Sequence, residues 1–153
     1  MGGSMTDFDQ ITLSSEQRKA LIEELAAYSE TDLLCYFAEE DALYQRQCAA
    51  WEPVLRWAEQ HFNCDIARTR GVIPVAQPKG LKRQCREQLA PFDDGALIAA
   101  AQLITGLGSI LLTFGLLAEQ VTFAQAVSAS QLDETFQQEE WGQDEAIIAE
   151  LRQ

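Results

Sequence analysis

The chain has 153 residues, 24 of them acidic against 11 Lys and Arg, and a formal net charge of −13. With 47% hydrophobic and 23% charged residues it has the makeup of one globular domain, which excludes a disordered, collagenous or disulfide-scaffold chain. A surface this acidic repels phosphate backbones and anionic lipid, so nucleic acid is not expected as a partner.

Met1, Gly2, Gly3, Ser4 and Met5 lack the basic and apolar regions of a signal peptide and read as an expression scar at 1–5, with a single helical domain expected over 6–153. Ser14 followed by Gln17 is a capping-box pattern, and Leu21, Ile22, Leu25 and Tyr28 continue it as an amphipathic helix. Leu33, Leu34, Cys35, Tyr36 and Phe37 break helical alternation and read as a buried extended strip. Tyr44, Cys48, Trp51, Leu55, Ala58 and Phe62 then recur at steps of four and three, one stripe of a helix that either kinks or restarts at Pro53. Trp51 and Trp57 point to different parts of that helix, so one is expected inside and the other against a neighbour or partner.

Residues 66–69 and 72–76 flank Arg70 and Gly71, which suggests a short β-hairpin near 65–77, with Pro74 confining its strand to an edge. Leu81, Cys85 and Leu89 mark the apolar face of the next helix, while Lys79, Lys82, Arg83 and Arg86 gather positive charge on the other. No charged residue occurs over 96–118, a length that would span a bilayer. Three internal glycines and the acidic flanks Asp93, Asp94 and Glu119 argue instead for a buried central helix, bent near 106–109, with no stable membrane insertion. Thr122 with Gln125 repeats the capping box. Ser130 can cap a final segment from Leu132 toward Leu151, which Gly142 ends or bends and Asp144 recaps. The fold class expected is therefore mainly α, a helical bundle around a central hydrophobic helix.

Enzyme motifs are sparse. His61 is the single histidine, has no G-x-S-x-G elbow beside it, and sits near a helix end, where a structural or solvated role fits. The glycines at 106 and 108 complete neither a P-loop nor a dinucleotide fingerprint. Cys35, Cys48, Cys64 and Cys85 are too far apart for a zinc pair and read as reduced thiols of a cytoplasmic protein. Asp133, Glu134, Glu139, Glu140, Asp144, Glu145 and Glu150 crowd one segment but match neither Glu-x-x-His nor EF-hand spacing, so no metal and no cofactor is expected. Trp141 among these acids reads as an interface anchor or as core. A small enzyme using the acidic cluster is the alternative from another class.

Three groups of residues occur in order: Thr31, Asp32, Leu33, Leu34, Cys35 and Tyr36; then Gln47 through Trp51 with Pro53 and Trp57; then Leu132, Asp133 and Glu134 with Gln137, Trp141 and Gly142. Together they resemble the assembly chaperones of the F-type ATP synthase catalytic head, the ATP-twelve family, over nearly all of the chain from Glu30 onward. Two departures remove positive charge: Phe37 and Gln131 stand where the family usually carries basic residues. The resemblance implies a mostly helical, non-enzymatic domain that binds the alpha subunit of the head before it pairs with beta. It implies a partner surface at Asp133, Glu134, Gln137, Glu139, Trp141, Gly142 and Asp144. It also implies a largely β N-terminal domain ahead of this one, of which the two dozen or so residues before Glu30 would hold little. The compartment implied is the bacterial cytoplasm, or the mitochondrial matrix for a eukaryotic chain.

Overall fold

A computed structural model describes residues 11–152; the expected scar at 1–5 lies outside the described residues. Among the described residues seven α-helices are joined by short 3-10 turns and by two strands of two residues each. Helix α1 (Ser15–Ala26) begins on the reciprocal capping box of Ser14 and Gln17. Ion pairing fixes its start: Arg18 Nη1 lies 2.9 Å from Asp94, and its guanidinium also donates to the carbonyls of Ala90 and Phe92. The strip after it is not extended throughout. Leu33–Cys35 forms a 3-10 turn capped by Asp32, and only Tyr36–Phe37 is strand β1.

Helix α2 (Asp41–Phe62) runs unbroken through Pro53. The expected stripe faces the core with Trp51, Leu55, Ala58 and Phe62 buried, widened by Leu43, Gln47 and Val54. Trp51 is the inner tryptophan, its indole donating to the Ala129 carbonyl at 2.9 Å. Trp57 is half-buried and stacks on His61, whose Nε2 is 3.3 Å from Gln88 Oε1.

No hairpin forms over 65–77. Strand β2 (Thr69–Arg70) pairs instead in parallel with β1, Tyr36 opposite Thr69 and Phe37 opposite Arg70. The reason lies at Arg70 and Gly71. The Arg70 guanidinium reaches the carbonyls of Ala38 and Glu39 and the Asp41 carboxylate, and Gly71 turns the chain away at φ 101° while donating to the Phe37 carbonyl. That positive φ is what requires glycine; a Cβ there would meet the flexible tip of the exposed Glu39, 2.7 Å from Oε1, which can swing aside. Val72 is then 91% exposed, useless as an inner strand residue.

Helix α3 (Lys79–Leu89) buries Leu81, Cys85 and Leu89 as expected, against α1. The uncharged stretch is two helices rather than one bent helix: α4 (Asp94–Leu107) and α5 (Ile110–Leu117), separated by Gly108 at φ 70° and Ser109. Helix α4 buries one face, whereas α5 is buried over Ile110, Leu111, Leu112, Thr113, Phe114 and Gly115, so only α5 is the central element. It packs on α2, on α4 and on α6 (Phe123–Ser130), which opens on the Thr122 and Gln125 capping box. Among the described residues no helix is long and apolar enough to cross a membrane. All four cysteines are free thiols, with burial pushing Cys35 and Cys85 up to about 12.

The break before α5 is organised by a fully buried carboxylate. Asp32 Oδ1 accepts from Ser109 Oγ at 2.6 Å and from the Leu34 amide at 3.0 Å, and Oδ2 accepts from the Leu111 amide at 3.0 Å. Burial pushes its pKa up to about 6, while the donors from Leu111, Ser109 and Leu34 hold part of that rise back. Asp32→Ala orphans three buried donors and should cost about 3 kcal/mol or more in urea unfolding. Because the folded pKa is raised from 3.8 to about 6, protonation favours the fold. This contribution is complete below about pH 4 and is lost as the pH climbs to about 6. The urea midpoint of the parent should therefore fall relative to that of Asp32→Asn across pH 4 to 7; parallel curves would show that the carboxyl does not titrate there.

Candidate functional site

The last helix, α7 (Leu132–Leu151), continues through Gly142, so Gly142 does not end it and Asp144 caps no new helix. Nor does Ser130 cap it: that hydroxyl donates back to the Val127 carbonyl, and Gln131 occupies the N-cap without a side-chain bond. None of its residues is buried. A helix of 20 residues with no buried side chain draws little from the core, so its order depends on a few contacts at its root.

Those contacts come from α2. Gln47, 1% exposed, donates from Nε2 to Asp133 Oδ1 at 2.9 Å, and its Oε1 accepts from the Ala38 amide at 2.7 Å. Next to it Arg46 places its guanidinium 5.4 Å from the Phe136 ring centroid and 2.7 Å from Glu139 Oε2. That hydrogen bond holds the Glu139 carboxyl below its ordinary range. Leu132 packs on the core edge.

The seven residues expected at a partner surface thus divide between two sides of one helix. Asp133 and Glu139 face inward and are engaged by Gln47 and Arg46. Glu134, Gln137, Trp141 and Asp144, at steps of three and four, share the outer side with Ile148 and Leu151. Trp141 is 70% exposed, so it is not core. Gly142 is open, with nothing within 4 Å of a Cβ built on it. The sequence reading missed Arg46 and Phe136. The 132, 136, 139 spacing of the inner face was the available signal, hidden because Glu139 reads as one more solvated acid. Among the described residues no group of three or more His, Cys, Asp or Glu could hold a metal.

The family model of the ATP12 chaperone protein matches residues 4–59. Atp12 from Paracoccus denitrificans superposes with a TM-score of 0.79 at 34% identity, over 88% of this chain and 58% of its own. A lysine-for-aspartate variant of the same Atp12p gives 0.79 at 33% over the same shares. In sequence and in fold the chain is similar to the ATP12 chaperone family. A third relative, the Atu1473 protein of Agrobacterium tumefaciens, gives a TM-score of 0.77 at 30% identity over 95% of this chain and 54% of its own. This chain therefore spans between half and three-fifths of the length of these solved structures.

The root of α7 is held by polar contacts alone above Leu132, so truncating them should loosen the helix without unfolding the bundle. Gln47→Ala leaves the Ala38 amide without its acceptor and should cost about 1–3 kcal/mol. Arg46→Ala, at an exposed pair, should leave the melting temperature nearly unchanged. In both variants amide exchange over 132–140 should accelerate several-fold while exchange in α5 changes less. Unchanged exchange at the root would show that Leu132 packing suffices.

Proposed function

We propose that this chain is a non-enzymatic assembly chaperone that binds the alpha subunit of the F-type ATP synthase catalytic head before that subunit meets beta. The helical domain expected over 6–153 is the unit to which we assign the role, in the bacterial cytoplasm or the mitochondrial matrix. Similarity to the ATP12 chaperone family supports the client class. The observation that carries the reading is the outer side of α7, where Trp141 at 70% exposure and two further apolar residues, Ile148 and Leu151, alternate with Glu134 and Asp144. A monomer has no internal use for a large aromatic held in water on a helix with no buried residue; a partner surface does.

The chemistry of that side suits a factor that must take a client and later release it. Carboxylates steer the encounter with a basic surface and weaken with salt, while one aromatic supplies most of the short-range energy. Gly142 beside Trp141 leaves room for the indole to be covered by a partner backbone.

Isolated alpha subunit should be retained by the immobilised chain in about equal stoichiometry at low salt, without turnover of any added substrate. Glu134→Lys and Trp141→Ala should each reduce retention about tenfold or more, and neither should shift the melting temperature, because both side chains are exposed. Retention equal to that of the parent in both folded variants would remove the outer side of α7 from client binding.

A further inference from the structure

A second surface lies at the root of α7 and is used by nothing described so far. Helices α2 and α6 diverge there over an open groove of about 790 Å³. Its lining mixes small residues, Ala49 and Ala50 on α2 and Ala124 and Ser128 on α6, with larger apolar ones, Trp57 and Leu112 among them. The alanines and the serine let another backbone approach closely, and the larger side chains give it apolar surface to bury. Among the described residues Arg46 is the single charged one lining it, and Glu139 already neutralises that charge.

We infer that this groove takes a helix of the client whose buried face is apolar and whose flanks are basic. Charge selects the occupant. The helix rooted at the end of the groove carries Glu140, Glu145 and Glu150, and on its outer side Glu134 and Asp144, none in an ion pair among the described residues. The field of these carboxylates attracts a cationic flank on the incoming helix, and among the described residues the groove itself offers no free cation for an acidic one. A second copy of this chain could match the apolar character through its own Trp141, Ile148 and Leu151. It would bring a further charge of −13 and the same row of acids against the first, so like charge opposes self-docking. The inference rests on the chaperone reading only for the identity of the client, not for the chemistry of the groove.

The test uses two labelled helical peptides of about five turns, with one leucine face in common and either lysine or glutamate on the flanks, beside isolated alpha subunit. The lysine peptide should bind the full chain at low salt at least about tenfold more tightly than the glutamate peptide. Ser128→Trp and Ala124→Trp place bulk at exposed wall positions that the core does not use. Each should abolish lysine-peptide binding with an unchanged melt, while Trp141→Ala leaves it intact. Equal binding of both peptides, or lysine-peptide binding that survives both wall variants, would overturn the groove assignment. So would a dimer at micromolar concentration that Ser128→Trp dissolves. Retention of alpha subunit together with failure of both peptides would sink the groove and leave the chaperone reading standing. Groove-dependent peptide binding without retention of alpha subunit would do the reverse.

Discussion

A carboxylate with no access to water decides where the apolar centre of this protein ends and restarts. Asp32 arrives from the segment after α1 and receives the Ser109 hydroxyl and the Leu111 amide, groups nearly eighty residues away in sequence. Left unpaired, either the carboxylate or the first amides of a buried helix would be prohibitive. Joined, each satisfies the other, and the negative charge lies at the positive end of the α5 dipole. The Leu33 amide closes the same junction by donating to the Gly108 carbonyl. Because α5 can start only at this cap, its axis is fixed independently of α4, and its apolar surface becomes the floor against which α2 and α6 are set.

Everything at the candidate site inherits that placement. Leu112 of α5 lies beneath the groove between α2 and α6, and Trp51 ties the same two helices together through the Ala129 carbonyl. The root of α7 is then held by Gln47 and Arg46, adjacent residues of α2 that serve different sides of the junction. Gln47 is buried and bridges β1 to α7, so it couples the small sheet to the helix root. Arg46 is exposed enough that its ion pair contributes little to folding, and its value lies in orienting Phe136 and Glu139.

Local chemistry was legible in the sequence wherever it was short-range. Both capping boxes, the Trp51 to Phe62 stripe and the apolar face of α3 follow from spacings of three and four, and the structure has them. The errors share a different origin. A Gly108 and Ser109 pair reads as a bend until the distant Asp32 supplies the cap that turns it into a break. The segment containing Thr69 and Arg70 reads as half of a hairpin because its true partner, Tyr36 and Phe37, lies more than thirty residues earlier, and parallel pairing leaves no turn signature. Pro53 and Gly142 read as helix breakers, yet both are tolerated in surface positions where the rest of the helix is already fixed or already long. Of the site, the row of acids with Trp141 was visible, but its division into an engaged inner side and an open outer side depends on Arg46 and Gln47. The groove was invisible because alanines on two separate helices carry no signal until the helices meet.

The energetics of α7 bear directly on how such a surface could work. Two polar contacts, one cation–π pair and the edge of Leu132 amount to a few kcal/mol at most, less than the free energy that holds the bundle together. A helix attached that weakly is drawn from the low-stability end of the structure and can be displaced while α1 through α6 remain folded. Arg46 stands at the point where this matters, since it lines the groove and also grips Glu139. Anything seated beside Arg46 changes the solvation of that ion pair, and any shift of α7 changes the mouth of the groove. The groove and the outer side of α7 are therefore linked through one exposed arginine, and a loosely rooted helix lets a surface form around a bound chain and then let it go.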